Sequence, residues 1–306
     1  MDFTELIRQN IQETAARRQD AGIVTAEGMI PLMDDAPYPR KCLDVVYAGR
    51  SSDEKLDIYY PGQGDGPFPV LVEVHGGAWY FGQKRSVEFE PFLQGLSRGF
   101  ACVSLGYTLS PKGHYPLPVL EIKSAIRFLR ANAGKYHLDP ARILLWGGSA
   151  GAHLAALAAA SCDTGYLEED LSGNDAFPAK PDALALWYGC FDYYENSRYL
   201  EDWIYKNFFG TDDLEAIRET IRLSSPLAHL TADACPTFLQ HGLSDSIVPY
   251  EQSVGYYGKL RQAAGEDRVR LELLEDCDHA DEKLFAAGNV GKLFEFAEEM
   301  WRNKKR

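Results

Sequence analysis

The sequence predicts an α/β fold, a mostly parallel sheet of roughly eight strands with helices on both faces. Three observations carry that expectation. Short unbroken apolar runs such as Val70–Val74 and Ile143–Trp146 read as strands buried on both sides. Stretches of helix-forming residues separate these runs, as parallel neighbours require. Several runs end in glycine-rich or acidic turns, and a sheet of this kind gathers its ligand-binding groups just beyond the carboxyl ends of its strands.

Taken in order, residues 2–18 carry an apolar stripe of Phe3, Leu6, Ile7, Ile11 and Thr14 interrupted only by Asn10, and Asp2 with Glu5 resembles a capping box. The N-terminal arm, residues 1–40, is expected to be this helix and an extended stretch punctuated by Pro31, Pro37 and Pro39. A helix so short needs docking for stability, either as plain packing or over the site entrance. Cys42–Tyr47 and Leu56–Tyr60, joined by turn residues Gly49–Asp53, read as an antiparallel pair at the sheet edge. Gly62–Pro69 is a loop. Strands follow at Val70–Val74, Phe100–Leu105 and Arg142–Trp146, with a helix at Leu117–Asn132 and another from Ala150. The second half repeats the alternation: strands at Ala183–Tyr188, Thr237–Gln240 and Val269–Leu274, a helix at Glu251–Ala264 and a final helix from about Glu282 to Trp301.

Two stretches, Asp163–Pro181 and Asp192–Ala234, exceed what a connection needs. The second, dense in Tyr193, Tyr194, Tyr199, Trp203, Tyr205, Phe208 and Phe209, reads as a small cap-like insertion over residues 190–235. Its aromatics either line a pocket or cover the sheet. No linker divides the 306 residues, so the chain reads as one domain.

Hydrophobic residues at 45% and charged residues at 25% are ordinary for a globular protein. A net charge of −14 opposes nucleic acid and anionic membrane surfaces as partners. Residues 1–18 carry charges throughout, so neither a secretory signal nor a membrane span is expected there, and a cytoplasmic location follows. Cys42, Cys102, Cys162, Cys190, Cys235 and Cys277 lack CxxC spacing and read as reduced structural thiols. Homodimer formation is left open by the sequence.

The chemistry concentrates at Gly147-Gly148-Ser149-Ala150-Gly151, between a buried strand and an Ala-rich helix. A strand that reverses into a helix within a few residues strains its backbone there, and the glycines leave room for it. Ser149 is then held above the sheet as a nucleophile, next to the first amide of the helix. A serine hydroxyl needs a neutral imidazole to take its proton. The strand ending at Gln240 leads into HGLSDSIVP with Asp245, and the strand ending at Leu274 leads into EDCDHADE with His279. The order Ser149, Asp245, His279 fits nucleophile, acid and base on successive strand-end loops of one sheet. Asp192 is the main alternative acid, Asp276, Asp278 and Asp281 crowd His279, and Cys277 is a weaker nucleophile candidate. His75, His114, His137, His153, His229 and His241 are expected to be structural or loop residues. The turn His75-Gly76-Gly77-Ala78-Trp79 permits close backbone approach, so the amides of Gly76, Gly77 and Ala78 with that of Ala150 form the expected oxyanion hole. No metal and no organic cofactor is expected, and the expected partner is a small-molecule ester.

HGGAW, GGSAG, HGLSDSIVP and CDHADE together resemble the α/β-hydrolase superfamily, and within it the hormone-sensitive-lipase-like carboxylesterases and the bifunctional acetylxylan/feruloyl esterase group. The stretch from YTLSPKGHYP through DPARILLWGGSAGAHLAAL is especially similar to that group. The resemblance covers residues 43–300 and implies an α/β-hydrolase fold and hydrolysis of small-acyl esters, with acetylated or feruloylated sugars as substrates. An arylformamidase-like amide hydrolase shares the HGG turn and the triad order, and a non-catalytic esterase-fold receptor is the remaining alternative. Two departures stand out: Ala78 where many relatives carry a third glycine, and Ala280 where relatives have glycine near the histidine.

Overall fold

The computed structural model describes residues 30–193 and 203–303. The helix expected over 2–18, and Tyr194 and Tyr199, lie outside them. Among the described residues eight strands form one sheet: β1 Lys41–Val46, β2 Lys55–Tyr59, β3 Phe68–Val74, β4 Ala101–Leu105, β5 Leu138–Gly148, β6 Ala183–Trp187, β7 Thr237–Gly242 and β8 Val269–Leu274. Their spatial order is β1-β2-β4-β3-β5-β6-β7-β8. The pairs β1/β2 and β2/β4 are antiparallel and every later pair is parallel, so the edge hairpin read from the sequence is present.

The apolar strand runs have no polar alternation because both faces are covered. Val70, Val72 and Val74 of β3 and Leu145 of β5 face one core, with α1 (Leu117–Ala131), α2 (Ala150–Ala160) and α5 (Glu251–Ala264). Leu71, Leu144, Trp146 and Trp187 face the other, with a 3-10 helix at Glu90–Arg98 and α7 (Ala287–Asn303). Every residue of α2 is buried, which is why it is built of alanine and leucine. Small side chains let this helix lie close against β3, and a β-carbon at Gly151 would stand 2.0 Å from the Val74 carbonyl oxygen.

The insertion supplies α3 (Trp203–Phe209), α4 (Arg218–Ser224) and a 3-10 turn at Pro226–His229. Tyr193, Tyr205 and Phe208 of this segment are buried and pack on Trp79. The single final helix expected from Glu282 to Trp301 is two: α6 (Glu282–Phe285) and α7, separated at Ala286, whose ψ of 138° is extended. Asp281 caps α6, its side chain accepting from the Lys283 amide at 2.9 Å. None of the six cysteines forms a disulfide. Among the described residues no helix is long and apolar enough to cross a membrane.

Candidate active site

Ser149 stands between β5 and α2 with φ 54° and ψ −121°, a sparsely populated conformation for a residue with a β-carbon. Its amide donates to the Trp187 carbonyl at 2.9 Å, which anchors the strained residue to β6. Although it occupies the N-cap position of α2, its hydroxyl makes no capping bond. The Oγ instead lies 3.0 Å from His279 Nε2.

His279 follows β8, and its Nδ1 lies 2.9 and 3.1 Å from the two carboxylate oxygens of Asp245, in the turn after β7. A carboxylate only accepts, so Nδ1 carries the proton and Nε2 is the basic nitrogen facing Ser149. The Tyr188 ring meets the imidazole edge to face at 4.7 Å and limits its rotation. Asp245 Oδ1 accepts from the amides of Ile247 and Val248 at 2.9 and 2.8 Å. Burial pushes the Asp245 carboxyl up, yet the hydrogen bonds and charge of His241 and His279 outweigh it and hold the group well below the usual carboxylate range. It is ionised at neutral pH. The three residues placed on one rim by the sequence therefore meet within proton-transfer distance.

His241 is a participant that the sequence reading set aside as structural. Its Nε2 lies 3.0 Å from Asp245 Oδ2 and 2.9 Å from the Val248 carbonyl, and its Nδ1 lies 2.7 Å from Ser253 Oγ. Both neighbours of Nε2 are acceptors, so that nitrogen donates and the acid is gripped by two histidines. The signal was present, since His241 opens the same HGLSD segment, four residues before Asp245.

Two of the alternative acids, Asp278 and Asp281, have other work. The amide of Asp192 donates to Gln252 Oε1 at 2.9 Å, and the imidazole proton goes to Asp245. Asp278 accepts from the amides of His279 and Ser246 at 2.7 and 2.8 Å, and Asp281 caps α6, so both shape the loop that carries His279. Cys277 is buried, and burial pushes its thiol up to about 11, which suppresses the thiolate at neutral pH.

The turn after β3 lies against the elbow: a β-carbon at Gly76 would be 3.5 Å from Ser149 Cβ. Gly77 has φ 107°, and Ala78 and Trp79 have φ 51° and 59°. Glycine enters this left-handed region freely, whereas each other residue there costs on the order of 1 kcal/mol. This is the physical content of the departure at Ala78, and Ala280, with φ 53°, repeats it beside His279. In both places alanine adopts the backbone that glycine would take without strain, and the amide remains. His75 supports the turn from below. Its Nδ1 lies 2.8 Å from the Gly76 carbonyl, Tyr107 stacks on the ring at 4.3 Å, and burial pushes its imidazole down to about 4.

The strand order and the strand–Ser149–helix elbow define an α/β-hydrolase fold. A solved carbohydrate esterase from gut microbiota, in truncated form, superposes with a TM-score of 0.76 at 24% identity, covering 88% of this chain and 98% of that one. The chain belongs to the BD-FAE family, which residues 56–260 match. That range takes in Ser149 and Asp245 and ends before His279. Among curated relatives, Mycobacterium tuberculosis esterase LipQ is 32% identical over 255 residues, 79% of this chain and 58% of LipQ. A kynurenine formamidase from Danio rerio is 27% identical over 239 residues, 78% of this chain and 74% of that protein. The chain spans little more than half the length of the mycobacterial esterases that it matches.

Proposed function

We propose that the chain is a serine carboxylesterase that hydrolyses small-acyl esters, acetylated or feruloylated sugars among them, through an acyl-enzyme intermediate. The observation that carries the reading is the continuous hydrogen-bonded path from Ser149 through His279 to Asp245, at 3.0 and 2.9 Å. Ser149 Oγ attacks the ester carbonyl carbon as its proton passes to His279 Nε2. The carbonyl electron pair moves to oxygen and is held by the amides of Gly76, Gly77, Ala78 and Ala150. Collapse breaks the bond to the alcohol, which leaves with the proton from His279. A water molecule, deprotonated by the same nitrogen, then releases the acid and restores Ser149. Asp245 stays ionised throughout and stabilises the imidazolium.

The test is turnover of p-nitrophenyl acetate and labelling by a fluorophosphonate. Both should vanish in Ser149→Ala, and turnover should vanish in His279→Ala. Most activity surviving in either variant sinks the assignment. A series of p-nitrophenyl esters beside acetylated xylo-oligosaccharides reports the acyl class, and strong preference for chains beyond hexanoate would contradict a small-acyl site.

A formamide hydrolase is the second reading, favoured by the likeness to kynurenine formamidase. The same nucleophile attacks either carbonyl, so N-formylkynurenine turned over faster than phenyl or sugar acetates would decide for it.

A further inference from the structure

The oxyanion turn and the elbow come from different strands, β3 and β5, and their amides must converge on one oxygen. His153 lies between them. It sits on α2 one turn beyond Ser149, with its amide donating to the Ser149 carbonyl at 3.2 Å. Its ring is fully buried. The Trp79 indole, at the end of the oxyanion turn, approaches it at 90° and donates from Nε1 to His153 Nδ1 at 3.2 Å. An indole nitrogen can only donate, so Nδ1 is the bare acceptor and the ring proton is on Nε2. That proton goes to the Ser224 carbonyl of α4 at 2.9 Å. Burial pushes this imidazole down to about 4, so the neutral form and its tautomer are kept at ordinary pH.

The turn needs such a tie. Gly77, Ala78 and Trp79 are successive residues with positive φ, a shape that persists only where the surroundings over-determine it. The backbone contributes bonds from Tyr80 and Phe81 to the Gly77 carbonyl at 3.0 and 2.9 Å, and from Ser110 to the Trp79 carbonyl at 2.9 Å. Phe208 stacks on the Trp79 ring at 4.6 Å, and Tyr193 and Tyr205 pack against it at 5.9 and 5.7 Å, apolar contacts that hold the ring without tying it to the elbow helix. The bond to Nδ1 is directional and is made to the helix that carries Ala150.

We propose that His153 is a positioning residue that fixes the oxyanion turn to the elbow helix through the Trp79 indole. The inference rests on the serine-hydrolase reading above and deepens it. His153 touches no reacting atom and acts through Trp79.

The test is a matched pair of substitutions in the full chain, assayed with p-nitrophenyl acetate. Asparagine puts its amide oxygen where Nδ1 stands and keeps the acceptor for Trp79, whereas glutamine reaches the Nε2 position and keeps only the bond to Ser224. His153→Gln should lower kcat about 10- to 100-fold with little change in KM, as expected when oxyanion donors are displaced without loss of substrate binding. His153→Asn should recover most of that loss. Trp79→Phe, which keeps a stacked ring and removes the donor, should lower kcat as His153→Gln does, and the double variant should fall no further. Wild-type kcat in His153→Gln, or equal loss in the two His153 variants, overturns the proposal. If neither His153 variant folds, wild-type kcat in Trp79→Phe overturns it. Ser149→Ala separates the two levels: activity surviving there removes the serine reading itself, while an inactive Ser149→Ala beside a fully active His153→Gln removes only the role of His153.

Discussion

Replacing Asp245 by asparagine changes one atom of the acid, and the surroundings dictate which. Oδ1 receives two backbone N–H groups, from Ile247 and Val248 at 2.9 and 2.8 Å, so the amide oxygen must take that place. The new NH2 then takes the place of Oδ2, 2.9 Å from His279 Nδ1 and 3.0 Å from His241 Nε2. An N–H cannot face an N–H at 2.9 Å, so Nδ1–H would keep only the 3.1 Å approach to an Oδ1 already taken by two amides, and the tautomer with the proton on Nε2 is favoured. That nitrogen then donates toward Ser149 and can no longer accept its proton. Where an imidazole is trapped in the wrong tautomer, kcat falls about 1,000- to 10,000-fold, about 4 to 5.5 kcal/mol of barrier at about 1.36 kcal/mol per decade. The fold should survive, because the two backbone bonds to Oδ1 remain. The assay is p-nitrophenyl acetate turnover beside a thermal melt, with Asp192→Asn as the control that keeps activity. A folded Asp245→Asn enzyme with most of its kcat, or a folded Asp192→Asn enzyme without it, would refute the assignment of the acid. The pH dependence of stability adds a second arm. Because the folded carboxyl lies below its unfolded range near 3.9, the stability it contributes is full above about pH 4 and is lost as pH falls through the folded value. The melting temperatures of wild type and Asp245→Asn should therefore draw together as the medium is acidified below about pH 4.

Two further perturbations probe the frame beneath the site. Gly151→Ala would put a β-carbon 2.0 Å from the Val74 carbonyl oxygen and 2.7 Å from that of His75, both backbone atoms that cannot swing aside. A loss of about 1–3 kcal/mol in chemical denaturation is expected, with reduced kcat because β3 ends in the oxyanion turn, and an unchanged denaturation midpoint would count against the packing described. Glu73 is fully buried on β3, and burial, eased by a hydrogen bond from Ser104 and reinforced by Glu88, pushes its carboxyl up to about 8. The folded chain holds this proton while the unfolded chain releases it near pH 4.3, so wild type loses stability between about pH 4.3 and 8 relative to Glu73→Gln. The advantage of Glu73→Gln should grow over that window and level off above it, and a difference in melting temperature that stays flat with pH would show that Glu73 titrates normally.

The frame of the molecule was legible in the sequence because strands buried on both faces have a signature of their own. Val70–Val74, Ala183–Tyr188 and Val269–Leu274 coincide with β3, β6 and β8 to within two residues at either end. The triad was legible because each member follows an apolar run that ends at the same rim of the sheet. What escaped depends on distances that the fold alone sets. The bonds from His241 to Asp245 and from Trp79 to His153 join residues whose types are equally compatible with plain packing. The break at Ala286 carries no glycine or proline, so the apolar spacing ran straight across it. The 3-10 helix at Glu90–Arg98 did leave marks, Pro91 in its first turn and Gly99 with φ 82° at its end, but it is too short for a helical period to stand out.

The edge hairpin has a consequence for the opposite end of the oxyanion segment. Asp57 of β2 is fully buried, and both its oxygens accept from Lys84 Nζ, at 2.9 and 2.8 Å. The Arg85 amide is held in turn by Ser104 Oγ of β4 at 2.8 Å. Only a few residues separate these moorings from Ala78, so the stretch leaving the oxyanion turn is clamped by strands that contribute none of the proposed catalytic groups. Arg85 Nε also lies 3.3 Å from Asp57 Oδ2, so loss of the Asp57 carboxylate would release both Lys84 and Arg85 from β2 at once. A lesion in the outermost hairpin would thus be felt as slack in the machinery several strands inward, and the margin of the sheet is bound to its chemistry as closely as the centre is.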